Sequence, residues 1–329
     1  MARADLLVFL VESIAKGDKL TYRKTVEAII AEERQKQHNV LANKLERIIH
    51  STPPERSAIN GAHVEQKSNN LVQEILPKKK FADLILNDKI LEICEAFVNE
   101  HHRAALLRTY NLEPRNRILL VGPPGNGKTS LAEAIAEALV IPLFVVRYES
   151  LIGSYLGETA GRLSKLFDFA STNRCVLFFD EFETLAKERG DTHETGEIKR
   201  VVSSLLLQID RLPSHVVVIG ATNHPELLDR AVWRRFQVRL NLGMPTRDNI
   251  TQWFIRFQAR VGVELGYAPE TLAKSLFGKN FAEIEEFGQS VYRQYVLNMP
   301  NTKMKDIISK TLKTWREITT EVKQENMGG

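Results

Sequence analysis

The chain has 329 residues, of which 43% are hydrophobic and 26% are charged. This length is enough for two or three domains, and the composition excludes a wholly disordered, collagen-like or disulfide-scaffold protein. The net charge of +4 allows an acidic partner but does not indicate nucleic acid. There are two cysteines, no long apolar run, and a charged residue, Glu12, in the short apolar segment near the start. We therefore expect a cytoplasmic protein with neither a signal peptide nor a membrane-spanning segment.

The first fifty residues contain three apolar stripes at helical spacing and no predicted strand. The second stripe carries Tyr22, Val26, Ile29 and Ile30. So short a unit buries its apolar faces only in part, which leaves surface for a partner. Residues 1–50 are predicted either to dock a partner or substrate or to form a small self-contained helical bundle. Residues 51–70 are polar and lack apolar periodicity, which predicts a flexible linker.

Between residues 81 and 242, apolar runs alternate with stretches of helical periodicity. Strands that are buried on both faces and separated by helices indicate a parallel sheet covered on each side. The predicted strands are residues 118–121, 143–146, 175–179, 216–219 and 236–242, and the predicted helices include 130–139 and 160–170. The lysine run 78–80, just before this region, is predicted to be solvated.

No strand is predicted after Pro245. Asn280 and Glu283 have the spacing of a capping box, at the start of a helix that runs towards residue 299. Thr302 is predicted to cap a last long helix. The chain therefore divides into an α/β region, residues 71–243, and a helical region, residues 244–329.

A glycine-rich stretch follows the first predicted strand. It fits the pattern G-x-x-x-x-G-K-[ST], and a predicted helix begins directly after it. The backbone N–H groups of such a loop wrap the phosphates of a nucleotide, and the helix N-terminus adds positive partial charge. Lys128 is expected to contact the β and γ phosphates, and the Thr129 hydroxyl to bind Mg²⁺. The residues expected to hold the nucleotide here are Gly122, Pro123, Pro124, Gly125, Asn126, Gly127, Lys128, Thr129 and Ser130.

The third and fourth predicted strands end in polar residues, at the sheet edge where ligands bind in open α/β folds. Asp180 is expected to hold Mg²⁺ through water, and Glu181 to polarise the attacking water as a general base. The Asn223 amide either contacts the γ-phosphate or simply begins a turn. Arg234 and Arg235 end a short predicted helix, and arginine suits a developing phosphoryl charge. Adjacent side chains on a helix diverge by about 100°, so at most one of the two is expected to face the packing surface of its own helix.

These motifs, in this order, resemble the AAA family of P-loop ATPases over roughly residues 75–325. The glycine-rich loop is similar to the family's Walker A motif, with Asn126 where Thr is commoner. Cys175–Glu181 is similar to Walker B, and Asn223 to the sensor-1 residue. The resemblance implies a parallel-sheet P-loop NTPase core with a C-terminal α-helical lid. It also implies an enzyme that binds ATP and Mg²⁺ and hydrolyses ATP to ADP and phosphate.

The arginine pair looks like the arginine fingers of the family, in the compact form of microtubule-severing members such as spastin and katanin. This similarity implies that Arg234 and Arg235 reach the ATP of a neighbouring subunit in a ring, normally a hexamer. The positions at which the family holds adenine match Asp83, Leu84 and Ala282. Residues 281–283 read Phe-Ala-Glu where the family has Gly-Ala-Asp, and no arginine in that segment offers itself as a sensor-2 residue.

Tyr155 and Leu156 lie in a stretch that resembles the first pore loop of AAA translocases. An aromatic residue there grips an extended polypeptide through undemanding apolar and π contacts. Tyr155 is predicted either to do so or to pack beneath the following helix. Residues 187–196 are either a second pore loop or a solvated connection. The main prediction is a motor that unfolds or remodels proteins. The alternatives are a nucleic-acid motor or loader, and a nucleotide-gated interaction switch that threads nothing.

The expected partners are further copies of the chain and a protein substrate. Bacterial AAA proteins of this general layout are in some cases encoded beside a subtilisin-like protease, so such a protease is an expected partner at family level. The sequence has no H-E-x-x-H motif and no evident Ser/His/Asp set, so any proteolysis would need another chain. Nucleic acid is not favoured, because there is no helix-turn-helix, zinc site or aromatic-rich basic groove.

Overall fold

The computed structural model describes residues 71–151, 156–184, 195–300 and 302–325. The predicted helical region 1–50 and the predicted linker 51–70 lie outside the described residues. So do the candidate pore residue Tyr155 and most of the predicted second pore loop. The predictions for these segments therefore stay predictions.

Six strands of the described chain form one sheet in the order β1-β3-β4-β5-β2-β6. Strands β2 to β6 pair with one another in parallel, which confirms the predicted parallel α/β fold. The edge strand β1 pairs antiparallel with β3 and was not predicted, because its two middle residues, Gln73 and Glu74, are polar and exposed. The strands are β1 (Val72–Ile75), β2 (Arg117–Val121), β3 (Leu143–Val146), β4 (Val176–Phe179), β5 (Val217–Thr222) and β6 (Val238–Asn241).

Helices connect the strands and then continue alone after β6. The helices among the strands are α1 (Asp88–His102), α2 (Ala104–Thr109), α3 (Lys128–Leu139), α4 (Tyr148–Leu151), α5 (Leu156–Thr172), α6 (Thr195–Arg211) and α7 (Arg230–Arg235). Those after β6 are α8 (Arg247–Val261), α9 (Pro269–Ser275), α10 (Phe281–Leu297) and α11 (Met304–Glu325). None of the helices in the described ranges is both long and apolar enough to cross a bilayer.

Both faces of the sheet are covered by apolar side chains, because successive residues of a strand point to opposite faces. In β4, Leu177 and Phe179 belong to one buried cluster, and Val176 and Phe178 belong to the other. Complete burial of such a side chain stabilises the fold by about 1.5–3 kcal/mol. The run of apolar residues that predicted this strand is therefore explained by its central position in the sheet.

The two cysteines, Cys94 and Cys175, are buried and free. Burial raises the pKa of each thiol to about 12, and at Cys94 the charge of Glu95 adds to the shift. Both thiols are therefore protonated at neutral pH, and thiolates are the reactive form. Their place is in the apolar core.

The helices after β6 pack around an apolar cluster of their own, which includes aromatic residues of α8 and α10. The α10 helix begins as predicted, since Asn280 and Glu283 form a capping box. Asn280 Oδ1 accepts from the Glu283 N–H at 2.8 Å, and a Glu283 carboxylate oxygen accepts from the Asn280 N–H at 2.9 Å. This cap fixes where α10 starts, and the start of α10 forms one wall of the cleft described below.

The order of the strands places the polar residues that follow them close together. Strand β5 lies between β2 and β4, and all three are parallel. Their carboxyl ends therefore meet at one edge of the sheet, which is where ligands bind in open α/β folds.

Candidate nucleotide site

The glycine-rich loop connects β2 to α3, and its backbone adopts a conformation that favours glycine. Gly125 and Gly127 have φ of +76° and +83°, in the left-handed region that favours glycine. A Cβ atom at Gly125 would also lie 2.8 Å from the Asn280 side chain. The first N–H groups of α3 have no partner within the helix, as at any helix start. Such a loop followed by a helix N-terminus is suited to bind phosphate.

Lys128 is buried at the start of α3, with 6% of its surface exposed. Its Nζ donates to the Gly122 and Pro123 carbonyls at 2.7 and 3.1 Å and to Asn223 Oδ1 at 2.6 Å. Burial lowers the pKa of Lys128 below the usual lysine value, and the nearby carboxylates oppose this shift. The Lys128 ammonium group therefore connects the glycine-rich loop to Asn223, the residue that follows β5.

Thr129 lies beside the acid pair that follows β4. Its hydroxyl donates to Asp180 Oδ2 at 3.1 Å. A hydroxyl and a carboxylate are the hard oxygen ligands that Mg²⁺ prefers, so the donor chemistry of this pair fits the ion. Asp180 also accepts from the N–H of Glu181 at 3.0 Å. The side chain of Glu181 is exposed, and its φ of +47° is uncommon for a residue other than glycine.

A cleft of about 810 Å³ extends from the phosphate loop to the helices after β6. The start of α10 contacts the loop directly, because the Ala282 N–H donates to the Gly125 carbonyl at 2.9 Å. The Phe281 N–H also donates to Asn126 Oδ1 at 3.4 Å. The three residues predicted at the adenine positions, Asp83, Leu84 and Ala282, all line the cleft.

The two candidate finger residues differ in their surroundings. Arg235 is half-buried, and it donates to Asp210 Oδ2 at 3.0 Å and to the Ala231 carbonyl at 2.9 Å. Asp210 also accepts from Arg117 at 2.6 Å. Arg234 is exposed and makes no hydrogen bond or ion pair with any residue that the structure describes. Neither arginine lines the cleft of its own chain. The candidate pore residue Leu156 is the first residue of α5.

The prediction that the lysine run 78–80 is only solvated is wrong in part. The side chains are exposed, but the N–H groups of Lys78 and Lys79 donate to Glu133 Oε1 on α3 at 3.0 and 3.2 Å. The ammonium of Lys79 donates to Ser130 Oγ at 2.7 Å, and Lys79 lines the cleft. Lys79 and Ser130 are 51 positions apart, so no local sequence pattern could have linked them.

The helices after β6 contribute cleft residues that the sequence analysis missed. Trp253, Arg260 and Glu285 line the cleft. Arg260 and Glu285 form an ion pair at 3.0 Å between α8 and α10, and the Arg260 guanidinium lies 5.3 Å from the ring centre of Phe257. The signal available in the sequence was helical periodicity, which predicts a buried face but not the neighbour across it.

The sequence is similar to known proteins over most of its length. The family model described as "ATPase family associated with various cellular activities (AAA)" matches residues 118–244. An AAA family ATPase of Sinorhizobium fredii, y4kL, is 37% identical over 290 residues, which is 87% of each chain. The chain belongs to the AAA family of ATPases. A second model, for parvovirus non-structural protein NS1, matches residues 36–145, a stretch that includes the phosphate loop.

Other AAA relatives match over a shorter stretch. A 26S proteasome regulatory subunit homolog of Methanothermobacter thermautotrophicus is 39% identical over 164 residues, or 49% of this chain and 44% of the relative. The peroxisomal ATPase PEX6 of Saccharomyces cerevisiae is 40% identical over 149 residues, or 43% of this chain and 14% of the relative. The chain thus spans less than half of these longer relatives. The similarity of its arginine pair to that of the microtubule-severing members stays a prediction.

Proposed function

We propose that this chain is an ATP-hydrolysing AAA motor that assembles into a ring, as a hexamer, and remodels or unfolds protein substrates. The observation that supports the ATPase most strongly is the meeting of three separate chain segments at one edge of the sheet. Lys128 contacts Asn223 at 2.6 Å, and Thr129 contacts Asp180 at 3.1 Å. These are the groups that phosphoryl transfer needs in one place.

Each residue at this edge has a role that its chemistry suits. Lys128 would donate hydrogen bonds to phosphate oxygens, and Thr129 with Asp180 would hold Mg²⁺. When bound, the ion neutralises charge on the phosphate oxygens. The exposed carboxylate of Glu181 accepts a proton from the attacking water, and the Asn223 amide orients that water. The glycine-rich loop supplies backbone N–H groups to the phosphates.

Arg234 is the residue that we assign to the ATP of the neighbouring subunit. It is exposed and has no ion-pair partner among the described residues, whereas Asp210 and a backbone carbonyl already hold Arg235. A guanidinium that is already bound locally would have to break those bonds to reach another subunit. We therefore propose that Arg234 acts in trans and that Arg235 supports the end of α7.

Mixing two inactive variants tests the shared site. Glu181→Gln and Arg234→Ala are each expected to lower ATP turnover by about 10²-fold or more while binding ATP. In a mixed ring, an Arg234→Ala subunit keeps its own Glu181 and receives Arg234 from a Glu181→Gln neighbour. We therefore expect ATPase activity to return on mixing, measured as phosphate release.

The matched control for the mixing experiment is Arg230→Ala. Arg230 is exposed one helical turn before Arg234, and it makes no hydrogen bond or ion pair within the described part of the chain. This variant is expected to hydrolyse ATP at the wild-type rate. Two variants that stay inactive when mixed would contradict a site shared between subunits. A wild-type chain that hydrolyses no ATP would contradict the proposed enzyme as a whole.

A protein substrate is supported by two observations. The stretch around Tyr155 and Leu156 resembles a pore loop, and some relatives are named as proteasome regulatory subunit homologs. We propose that Tyr155 grips an extended polypeptide in the centre of the ring. A separate subtilisin-like protease chain is the further partner that family layout suggests. The buried, free thiols of Cys94 and Cys175 are consistent with action in the cytoplasm.

The nature of the substrate is tested by adding candidate polymers. Unfolded protein is expected to stimulate ATP turnover and DNA is not. Tyr155→Ala is expected to abolish substrate unfolding, and Tyr155→Phe to retain it, since the aromatic ring makes the contact. Stimulation by DNA alone would favour the nucleic-acid motor. Full activity of Tyr155→Ala on protein would contradict threading past this residue.

A further inference from the structure

A third acid, Glu183, lies two residues after Glu181 and is buried, with 4% of its surface exposed. Its Oε1 accepts from the backbone N–H of Asn223 at 3.1 Å. Its other oxygen, Oε2, is buried and has no hydrogen-bond partner in the described part of the chain. A buried polar atom without a partner costs about 1–3 kcal/mol. A buried carboxylate therefore accepts a hydrogen bond from the backbone of one candidate catalytic residue, Asn223.

The backbone beside Glu183 is strained as well. Glu181 has a positive φ, and a residue other than glycine in that region costs about 1–3 kcal/mol unless its surroundings hold it. Those surroundings are present, because the Phe182 N–H donates to the Ala221 carbonyl at 2.8 Å and the Thr184 N–H donates to the Glu181 carbonyl at 2.8 Å. The Phe182 ring is buried in the core.

Glu183 completes a connection between the two sides of the hydrolytic centre. It follows Glu181 in the same turn, and its carboxylate holds the backbone of Asn223. The Asn223 side chain in turn accepts from Lys128 at 2.6 Å. The Glu183 carboxylate thus joins the turn of Glu181 to Asn223 directly, and to Lys128 only through the Asn223 side chain.

We infer that Glu183 is a positioning residue, whose hydrogen bond to the Asn223 N–H sets Asn223 relative to Glu181 for the hydrolytic step. This inference rests on the proposed ATPase function. Glu183 does not line the nucleotide cleft, so its loss acts on turnover and not on ATP binding. A purely structural role would instead lower stability and leave the turnover of the folded fraction unchanged.

Two variants of similar size separate the hydrogen bond from the charge. Glu183→Gln keeps an oxygen acceptor without the charge, and Glu183→Met removes both. Because a misplacement of about 1 Å can cost about 10²-fold in rate, we expect Glu183→Met to lower kcat by about 10- to 100-fold with KM for ATP unchanged. Glu183→Gln is expected to stay within about 3-fold of the wild-type kcat, since it keeps the acceptor. Glu286→Met, at an exposed position of α10, is the control and is expected to match the wild type.

Amide hydrogen exchange of Asn223 gives a second readout that needs no hydrolysis. The Asn223 N–H is expected to be protected in the wild type and in Glu183→Gln, and to exchange at least about 10-fold faster in Glu183→Met. A Glu183→Met variant with wild-type kcat, a rise in KM alone, or unchanged exchange at Asn223 would each overturn the inference. A wild-type chain without ATPase activity would instead overturn the proposed function. The exchange measurement would still test the hydrogen bond between Glu183 and the Asn223 N–H.

Discussion

The two ends of the nucleotide cleft are built in different ways. At the phosphate end, residues 122–130 are consecutive in the chain, and their backbone forms the binding surface. At the opposite end, three segments that are far apart in sequence line the cleft: residues 83–86, helix α8 and the start of α10. The phosphate-binding surface at the first end is one loop between a strand and a helix, and the residues that follow β4 and β5 lie beside it. The opposite end of the cleft forms only when the helices after β6 pack against the α/β part of the chain.

One side chain holds much of the second end together. Arg256, on α8, donates through Nη1 to the Ala82 carbonyl at 2.9 Å and to the Leu84 carbonyl at 3.1 Å. These carbonyls flank Asp83, and Asp83 and Leu84 are two of the residues predicted to contact adenine. The segment therefore depends on a helix about 170 residues later in the chain. We propose that the hydrolysis chemistry belongs to the first end and that nucleotide affinity is shared with the second.

The division of roles between the two ends of the cleft can be tested in two ways. Replacement of Arg256 is expected to have the larger effect. Arg256→Ala removes two hydrogen bonds at an exposed site, where water replaces part of the loss. We expect KM for ATP to rise about 5-fold, which corresponds to about 1 kcal/mol, with little change in kcat. Steady-state ATPase assays and direct binding of a fluorescent ATP analogue measure the two quantities separately.

The controls for Arg256 use the same residue type. Arg256→Lys keeps one donor and the charge, so its KM is expected to lie between those of the wild type and Arg256→Ala. Arg293→Ala changes an exposed arginine of α10 that makes no hydrogen bond or ion pair within the described residues, and it is expected to have no effect. A fall in kcat at constant KM would place Arg256 in the hydrolytic step and break the division between the two ends.

The same contrast explains how much could be predicted from the sequence. The residues of the phosphate loop are consecutive in the chain, and so are the acids after β4, so each motif is visible in the sequence. Buried parallel strands give unbroken apolar runs. The five predicted strands are therefore confirmed, with ends that differ by at most three residues. The antiparallel edge strand β1 was missed because an exposed edge needs no apolar run.

The features that could not be predicted from the sequence depend on contacts between positions far apart in the chain. The bonds from Lys79 to Ser130 and from Arg256 to Leu84 join positions 51 and 172 residues apart. Neither partner has a distinctive neighbourhood in the sequence. The burial of Glu183 could not be predicted, since glutamate is mostly exposed and the turn at residues 180–184 already holds two other acids. The capping box at Asn280 was predicted because its two residues are three positions apart.

Removal of the Asn280 cap also tests the difference between the two ends of the cleft, and it is expected to have the smaller effect. Asn280→Ala deletes the side-chain acceptor for the Glu283 N–H, and loss of such a cap costs about 1 kcal/mol. The melting temperature is expected to fall by about 2–4 °C. Because α10 also touches the phosphate loop through the Ala282 N–H and the Gly125 carbonyl, fraying of its first turn is expected to weaken ATP binding as well, by about 2-fold.

A second capping box separates stability from binding. Thr246 caps α8 in the same way, with its hydroxyl accepting from the Asn249 N–H at 3.2 Å. The first turn of α8 does not line the cleft, whereas Phe281 and Ala282 in the first turn of α10 do. Thr246→Ala is therefore expected to lower the melting temperature by a similar amount and to leave the affinity for ATP unchanged. Equal losses of affinity in Thr246→Ala and Asn280→Ala would mean that the helices after β6 act on the nucleotide only through their overall stability. A loss confined to Asn280→Ala would tie the start of α10 to the phosphate end of the cleft.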